Sequence, residues 1–597
     1  MRLFRSLSLA LAILLPLALL CDLQADFYYD WHNHQWYVGY FGEYFRQHFR
    51  MPEVLNGAPA VGMLQPVFYG YLLYPCLGLL ASIMGASAAI RAGALLAVAL
   101  EFYAVNAAAQ RTLRHKSLSW VVAASVIWSV YSLTNLYNRA ALPEFFATTF
   151  LTTAVAFGAA AGTEEVSARR GLFAWLAGTC GILALGTHPP TALIGGGFAS
   201  LLIAVAVVVP GDRRLRVRPI GVMLLVMLLG AVVLAPWVYA NWRMREELGV
   251  LTQGVEGLKL FASRCDSLLG RFAPFPFDRL SNLNGTVNVS TPYVEAPVNF
   301  ALMVFAGWNL VLLRRTNSEA PSVGAAAPNR AAWWFAGVGF GWFVLTVLLS
   351  LSRPVADAFA FLGPYVQAGT RFVSHANLGL LVAVFATGAI VAARGGFARF
   401  RSETNVVAGI GLTIALVGAG IKLTHAAAVL ERPSAAQYTW TGDRAALVTA
   451  GRADAGADYA AVKTWPPLPP SAPKLAQTVA FPIGERGSAF GIARGLRLNL
   501  PEQSWVITNL VAFPWSRVKV DGSDVTTERL AVDGWRVAVN VPSGEHELKW
   551  EWRPDPLWSW LHAVSRCALL VVLGVAVAWG LAEAWRSVRG GPVAGLP

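Results

Sequence analysis

The sequence predicts a mostly α-helical, polytopic membrane protein with about 12 spans and a small extracytoplasmic antiparallel β domain before the last span. Three observations lead to this fold class. Of the 597 residues, 56% are hydrophobic and only 14% are charged, and the mean hydropathy is +0.50. About twelve apolar stretches approach the 20 or so residues that a bilayer-crossing helix needs. Between residues 503 and 552, apolar and polar residues alternate as they do in half-buried strands.

The composition excludes two classes of protein. Soluble domains carry about 25% charged residues, and disordered chains combine low hydrophobicity with high charge. The net charge of +13 is a feature of nucleic-acid-binding proteins. The basic residues are placed as membrane topology requires, however, so no nucleic-acid partner is expected. The five cysteines are widely spaced and predict neither a disulfide framework nor a metal knuckle.

The apolar stretches define the predicted spans in chain order. They are 5–24, 88–110, 118–138, 142–162, 171–187, 189–210, 218–240, 296–313, 331–351, 373–393, 405–425 and 559–584. The first begins like a signal peptide, but no small-residue cleavage site follows it, so we expect an uncleaved span. A thirteenth apolar stretch, 66–84, contains Pro66, Gly70 and Pro75 and is ambiguous.

The distribution of basic residues resolves this ambiguity. Clusters follow or precede spans at Arg2/Arg5, Arg111/Arg114/Lys116, Arg169/Arg170, Arg213/Arg214/Arg216/Arg218, Arg314/Arg315/Arg330, Arg394/Arg398/Arg401 and Arg586/Arg589. Every cluster is cytoplasmic if 66–84 lies at the outer face, and all but the first are outside if it spans. The positive-inside rule favours the first arrangement, with both termini cytoplasmic.

This topology places the longer connecting segments outside. The predicted organisation is a transmembrane domain, 1–430, with outer loops 25–87, 241–295 and 352–372. A β-rich extracytoplasmic domain, 431–558, follows, and 559–597 forms the final helix and a cytoplasmic tail. Turn signals such as Asp521-Gly522 separate the predicted strands.

Polar residues directly after the first span form one candidate site. Asp26, Asp30, His32 and His34 lie there among several aromatic residues. A carboxylate at this position can act as a general base on an acceptor hydroxyl or hold a divalent metal, and aromatic rings suit sugar faces. The structural alternative is an interfacial aromatic belt followed by an amphipathic helix at 35–50.

The turn between the third and fourth spans carries a second candidate site, formed by Tyr137, Arg139 and Glu144. Glu144 follows Pro143 at a helix start, where a negative charge is favoured, so an Arg139–Glu144 pair that caps a helix is the structural alternative. The functional interpretation makes Glu144 an active-site carboxylate and Arg139 an anion clamp.

Two more candidates lie at the same predicted face. His188 sits in the turn between spans five and six, and Gln367, Arg371 and His375 precede or begin span ten. An arginine at this depth can bind a phosphate through two parallel hydrogen bonds, or it can simply snorkel to the interface. All four sites converge on one face, which predicts an outer cavity with acidic and cationic groups.

The order of these motifs resembles the GT-C superfamily of membrane glycosyltransferases, and more closely the bacterial YfhO-type and "6-pyruvoyl-tetrahydropterin synthase-related" membrane proteins. The matching elements run through nearly the whole chain. They are Asp30 with His32 or His34, Gly57-Ala-Pro59, Pro66-Val-Phe-Tyr69, Tyr137 to Glu144, His188, Gln367 to Phe372, Val520-Asp-Gly522 and Pro542-Ser-Gly-Glu-His546. One departure is Gln367-Ala-Gly-Thr-Arg371, where the family has a Gln-Phe-Pro-x-Arg form.

The resemblance implies a glycosyltransferase of the bacterial inner membrane. It would transfer a sugar from a polyprenyl-phosphate donor to an envelope glycan or lipid acceptor at the outer face. Asp30 and Glu144 are the expected catalytic residues, and they would hold Mg or Mn if the reaction uses a divalent cation. Asp26, His32, His34, Tyr137, Arg139, His188, Gln367, Arg371 and His375 are the expected substrate-binding residues. The alternative is a non-catalytic protein that binds or translocates a polyisoprenoid-linked glycan, or an envelope-assembly scaffold.

Overall fold

A computed structural model describes residues 2–22, 31–55, 63–64, 70–209, 213–243, 295–317, 330–366, 369–428, 475–479, 495–511, 515–525, 527–529 and 536–589. The helices are α1 (Arg2–Leu14), α2 (Trp31–His48), α3 (Leu73–Met84), α4 (Ala86–Leu113), α5 (Lys116–Ile127), α6 (Val130–Leu133), α7 (Leu142–Thr163), α8 (Ser167–Thr187), α9 (Pro189–Val208), α10 (Arg213–Arg243), α11 (Ala296–Asn317), α12 (Arg330–Leu351), α13 (Arg353–Ala358), α14 (Gly363–Val366), α15 (Val373–Ala393), α16 (Gly396–Arg399), α17 (Arg401–Ala428) and α18 (Pro556–Arg589).

Eleven helices in the described ranges are long and apolar enough to cross a membrane. They are α4, α5 together with α6, α7 to α12, α15, α17 and α18. Each corresponds to one of the predicted spans from the second to the twelfth. The predicted class, a mostly helical polytopic membrane protein, is confirmed.

The first predicted span has a mixed structure. The α-helix ends at Leu14, and a 3-10 helix, Leu15–Cys21, continues it with Pro16 in its first turn. Their combined rise is about 34 Å, enough for the roughly 30 Å hydrocarbon core. Arg91 caps the C-terminal end of the 3-10 helix. Its Nε donates a hydrogen bond to the carbonyl of Leu20 at 3.0 Å, and its Nη2 donates one to the carbonyl of Asp22 at 3.1 Å.

Within the described part of the ambiguous stretch 66–84, residues 70–84, the chain forms the short helix α3. Its 12 residues rise about 18 Å, too little to cross a bilayer. Helix α3 packs against α2, where Gly42 and Gly78 let the two backbones approach closely. The apolar face of α2 is buried, including Trp36, Tyr40 and Phe41.

The strands of the described residues are β1 (Val54–Leu55), β2 (Met63–Leu64), β3 (Leu475–Val479), β4 (Leu496–Leu500), β5 (Ser504–Val511), β6 (Ser516–Val520), β7 (Ser523–Asp524), β8 (Thr527–Arg529), β9 (Arg536–Val541) and β10 (Gly544–Trp552). In the described part of the C-terminal β domain they form two four-stranded sheets, one with the order β4-β10-β6-β7 and one with the order β3-β5-β9-β8. A separate short ladder joins β1 and β2.

All neighbouring strands of these sheets are antiparallel except β3 and β5, which are parallel. The long connection between β3 and β5 makes this pairing possible, because parallel neighbours need a crossover segment. The predicted antiparallel domain therefore carries one parallel edge.

The β domain is attached to the helical bundle beside the start of α18. Trp515 of the loop before β6 packs on Trp558, with ring centroids 5.1 Å apart. Asp555 accepts a hydrogen bond from the Tyr239 hydroxyl at 3.0 Å and pairs with Arg243 at 3.3 Å. These contacts fix the domain at the end of the bundle where α10 ends.

Candidate functional site

A distorted turn between α6 and α7 builds the centre of the site. After α6, a π-helical segment, Thr134–Asn138, ends with the Arg139 amide bonded to the Thr134 carbonyl at 2.9 Å. Ala140 then adopts a left-handed conformation, with φ 50°, which is uncommon for a residue with a side chain. Helix α7 starts with Pro143 in its first turn, so the chain reverses tightly between Arg139 and Glu144.

Glu144 is the buried carboxylate of this turn, and only 2% of its side chain is exposed. The Tyr131 hydroxyl donates a hydrogen bond to Oε1 at 2.5 Å. Arg139 Nη1 lies 3.5 Å from Oε2, and Arg371 Nε lies 3.6 Å from the same oxygen. A buried carboxylate requires such partners, because removing an ion from water is costly.

Each arginine is itself anchored. Arg139 donates to the Asn135 side chain at 2.9 Å, and Arg371 donates to the Val366 carbonyl at 2.8 Å. Their side chains are 21% and 12% exposed, so both are more accessible than Glu144. The two guanidinium groups are thus the more accessible members of this ionic cluster.

Two histidines complete the cluster. His188 caps the start of α9, with its Nδ1 2.7 Å from the Thr191 hydroxyl. His375, in the first turn of α15, is fully buried, and neither ring nitrogen has a hydrogen-bond partner among the described residues. Both histidines lie close enough to Glu144 to interact with it electrostatically. Residues of three of the four predicted candidate sites therefore meet at one end of the bundle.

Sequence reasoning missed a second buried carboxylate, Glu295, directly before α11. It is fully buried and accepts hydrogen bonds from the Tyr131 amide at 2.6 Å, the Ser129 hydroxyl at 3.1 Å and the Asn377 side chain at 2.6 Å. Asn377 in turn accepts from Asn299 at 2.5 Å. The sequence signal that could have identified Glu295 is the position of an acidic residue directly before an apolar span.

The contacts described for two further candidates, His34 and Tyr137, are with other parts of the bundle. His34 Nδ1 is 2.8 Å from the Tyr74 hydroxyl, and burial lowers the pKa of His34 to about 3, although a hydrogen bond with the Ala140 backbone opposes that shift. Tyr137 donates its hydroxyl to the Pro16 carbonyl at 2.7 Å. These contacts hold α2 and the 3-10 helix Leu15–Cys21 against the turn.

Four predicted residues cannot be placed by their side chains. Asp26, Asp30 and Gln367 lie outside the described residues, and the side chain of His32 is not described. The assignments of Asp30 as a catalytic residue and as a metal ligand therefore stay predictions.

Two of the β-domain motifs contact each other. Asp521, in the turn after β6, bonds His546 Nδ1 at 2.6 Å and accepts from the Glu547 amide at 2.9 Å. The Val520-Asp-Gly522 and Pro542-Ser-Gly-Glu-His546 segments thus form one corner of the sheet. These hydrogen bonds stabilise the sheet, so the two motifs need no role in binding or catalysis to account for them.

The comparisons with known proteins give two similar solved structures. One is the archaeal oligosaccharyltransferase AglB from Archaeoglobus fulgidus, in complex with an inhibitory peptide and a dolichol-phosphate. It is 14% identical with a TM-score of 0.35, and the match covers 70% of this chain and 55% of that chain. The other is ArnT from Cupriavidus metallidurans in the apo state, which is 13% identical with a TM-score of 0.29. That match covers 65% of this chain and 76% of ArnT.

The chain spans only about half the length of AglB, and both TM-scores are low. They therefore determine neither the reaction nor the substrates of this chain. No family model and no curated protein matches the sequence. The narrower resemblance to YfhO-type proteins stays a prediction.

Proposed function

We propose that this protein is a membrane glycosyltransferase that moves a sugar from a polyprenyl-phosphate donor to an envelope glycan or lipid acceptor. One observation carries the proposal: the buried carboxylate of Glu144 pairs with Arg139 and Arg371, both of which are partly exposed. Paired guanidinium groups suit a phosphate, since each presents a planar fork of donors. The Glu144 carboxylate, which pairs with both, fixes their orientation.

The proposed reaction assigns a role to each group. The donor phosphate lies against Arg371 and Arg139, and the acceptor oxygen attacks the anomeric carbon from the opposite side. The bond between that carbon and the phosphate oxygen breaks, and polyprenyl phosphate leaves with the electron pair. Asp30 takes the acceptor proton, and inversion at the anomeric carbon follows. Glu144 orients the arginines and the acceptor, or completes a metal site with Asp30 if a divalent cation takes part.

The proposed location is the bacterial inner membrane, with the Glu144 site and the β domain outside and both termini inside. The chain directions of α7, α8 and α15 bring Glu144, His188 and His375 to one end of the bundle. Arg169 lies near the other end of α8, where it pairs with Glu583, and Arg111 lies at the end of α4, where it pairs with Glu164 directly after α7. This separation of charge supports the orientation.

The test is turnover by the purified, detergent-solubilised protein with a panel of polyprenyl-phosphate sugars and crude envelope acceptor. We expect release of free polyprenyl phosphate by the wild type. Glu144→Gln and Asp30→Asn should each lower it by about 100-fold or more. Glu165→Gln, an exposed carboxylate at the opposite end, is the matched control.

Three outcomes separate the alternatives. Binding of the donor without release would favour the carrier or scaffold function. Near wild-type transfer by Glu144→Gln or Asp30→Asn would remove that residue from the mechanism. Thermal unfolding of each variant distinguishes a lost function from a lost fold.

A further inference from the structure

We propose that Glu295 is a positioning residue for the Glu144 site: it fixes Tyr131, and the Tyr131 hydroxyl fixes the Glu144 carboxylate. This inference rests on the proposed function for its kinetic consequences. Its structural part can be tested separately.

Tyr131 connects the two carboxylates directly. Its amide donates to Glu295 Oε2 at 2.6 Å, and its hydroxyl donates to Glu144 Oε1 at 2.5 Å. The residue is fully buried and packs among Ala296, Val373 and Ala376. A shift of its main chain is therefore transmitted to the hydroxyl, because close packing leaves the side chain little room to compensate.

Glu295 also ties together the elements that surround Glu144. It precedes α11, accepts from Ser129 at the start of α6 and accepts from Asn377 in α15. Asn377 lies two residues after His375, which interacts with Glu144. One carboxylate thus joins the α6 turn to the start of α15.

The bonding pattern of Glu295 explains why this position needs a carboxylate. All three groups that reach it, an amide N–H, a hydroxyl and a side-chain amide N–H₂, are donors, and an ionised carboxylate only accepts. A glutamine keeps one acceptor oxygen but turns an N–H₂ group toward one of these donors. The Glu295→Gln substitution therefore breaks at least one of the bonds that join Tyr131, Ser129 and Asn377 through this side chain, with almost no change in volume.

The kinetic test is a double-mutant cycle on the full-length protein. Glu295→Gln and Tyr131→Phe should each lower kcat by about 10- to 100-fold, with KM for the donor changed less than threefold. If Glu295 acts through the Tyr131 hydroxyl, adding Glu295→Gln to Tyr131→Phe lowers kcat by less than about threefold more. Two independent, multiplying losses would overturn the proposal.

The control is Glu164→Gln, a similarly buried carboxylate at the opposite end that pairs with Arg111. It is expected to lower the melting temperature while leaving kcat unchanged. If Glu295→Gln does not fold, Asn377→Ser replaces it, because this change removes one of the three donors to Glu295. It should give a smaller loss of kcat with the same dependence on the Tyr131 hydroxyl.

A structural measurement separates this inference from the proposed function. If the wild type transfers no sugar from any donor, the proposed function fails, and cryo-electron microscopy of Glu295→Gln decides the positioning role. We expect the Tyr131 hydroxyl to move beyond about 3.5 Å from Glu144, outside hydrogen-bonding distance. An unchanged distance in that variant would overturn the inference, whatever the activity.

Discussion

At the scale of the residue, the site depends on the geometry of Arg371 as well as on its charge. Its Nη1 bonds the Val366 carbonyl while its Nε faces Glu144. A lysine at the same position is a point charge on a flexible stem and cannot hold two fixed directions at once. Charge alone therefore does not reproduce the site.

Arg371→Lys is expected to weaken binding of polyprenyl phosphate by about 10- to 100-fold, the equivalent of one hydrogen bond to a charged group. Titration of the purified protein with polyprenyl phosphate measures this loss. Arg353→Lys, with 67% of the Arg353 side chain exposed, is the matched control and should bind as the wild type does. Equal affinities for the two variants would show that the phosphate lies elsewhere.

The Asp521–His546 pair of the β domain provides a pH-dependent contribution to stability. The hydrogen bond with Asp521 raises the pKa of His546. The Glu547 amide, and then His546, lower the pKa of Asp521. The histidine contribution is complete below its ordinary pKa of 6.5 and is lost as pH rises through the raised value. The aspartate contribution is complete above its ordinary pKa of 3.8 and is lost as pH falls.

We therefore expect the pair to stabilise β10 most between about pH 4 and pH 6.5. Hydrogen exchange of the full-length protein should show stronger protection of β10 in the wild type than in His546→Gln at pH 6. The difference should shrink by about pH 9. Equal protection of the two proteins at both pH values would mean that the pair contributes nothing.

At the scale of the element, the crossing of α12 and α15 positions His375 and Asn377. Gly339 and Gly379 meet there, and a Cβ on either would lie 2.6 Å from the backbone oxygen of the other. Small residues at such crossings let membrane helices pack through their backbones. The position of His375 and Asn377 in α15 thus depends on glycine at both of these crossing positions.

Gly379→Ala is expected to destabilise the protein by about 1–3 kcal/mol, because backbone atoms cannot yield to the added methyl group. It should also lower transfer, since α15 carries His375. Thermal unfolding in detergent measures the first effect. The control is Gly341→Ala in α12, where a Cβ meets no atom within 4 Å, and it should be neutral or slightly stabilising. If Gly341→Ala lowered the stability as much as Gly379→Ala does, the loss would come from reduced helix flexibility and not from the packing of α12 against α15.

At the scale of the whole molecule, the bundle has two chemically different ends. Glu144, its arginines and the β domain lie at one end, and the Arg111–Glu164 and Arg169–Glu583 pairs lie at the other. The positive-inside rule predicts an orientation with the Glu144 site outside.

This orientation is tested by cysteine labelling in a variant whose native cysteines are replaced. An impermeant maleimide should label Glu545→Cys of the β domain in intact cells. It should label Glu165→Cys only after the inner membrane is permeabilised. Both positions are exposed in the structure, so access to the label depends on the side of the membrane. The reverse pattern would invert the topology and place the Glu144 site inside.

The sequence by itself determined the class of fold and most of its elements. Apolar length alone located the eleven described spans, because a bilayer accepts only helices with satisfied backbone hydrogen bonds. Alternation of apolar residues predicted β5, β6, β9 and β10, and Glu144, Arg139, Arg371 and His188 were all named from polar residues at span ends. These signals are local, so one sequence contains them.

Only the tertiary structure decided which of those residues meet. Tyr131 and Glu295 are 164 positions apart, and no periodicity relates a tyrosine inside a span to an acid before another. The structure brings Arg371 to Glu144 and directs Tyr137 to Pro16 instead, although Tyr137 is nearer in the chain. Long-range packing determines these contacts. Each buried carboxylate requires hydrogen-bonding or charged partners, and helices from distant parts of the chain supply them.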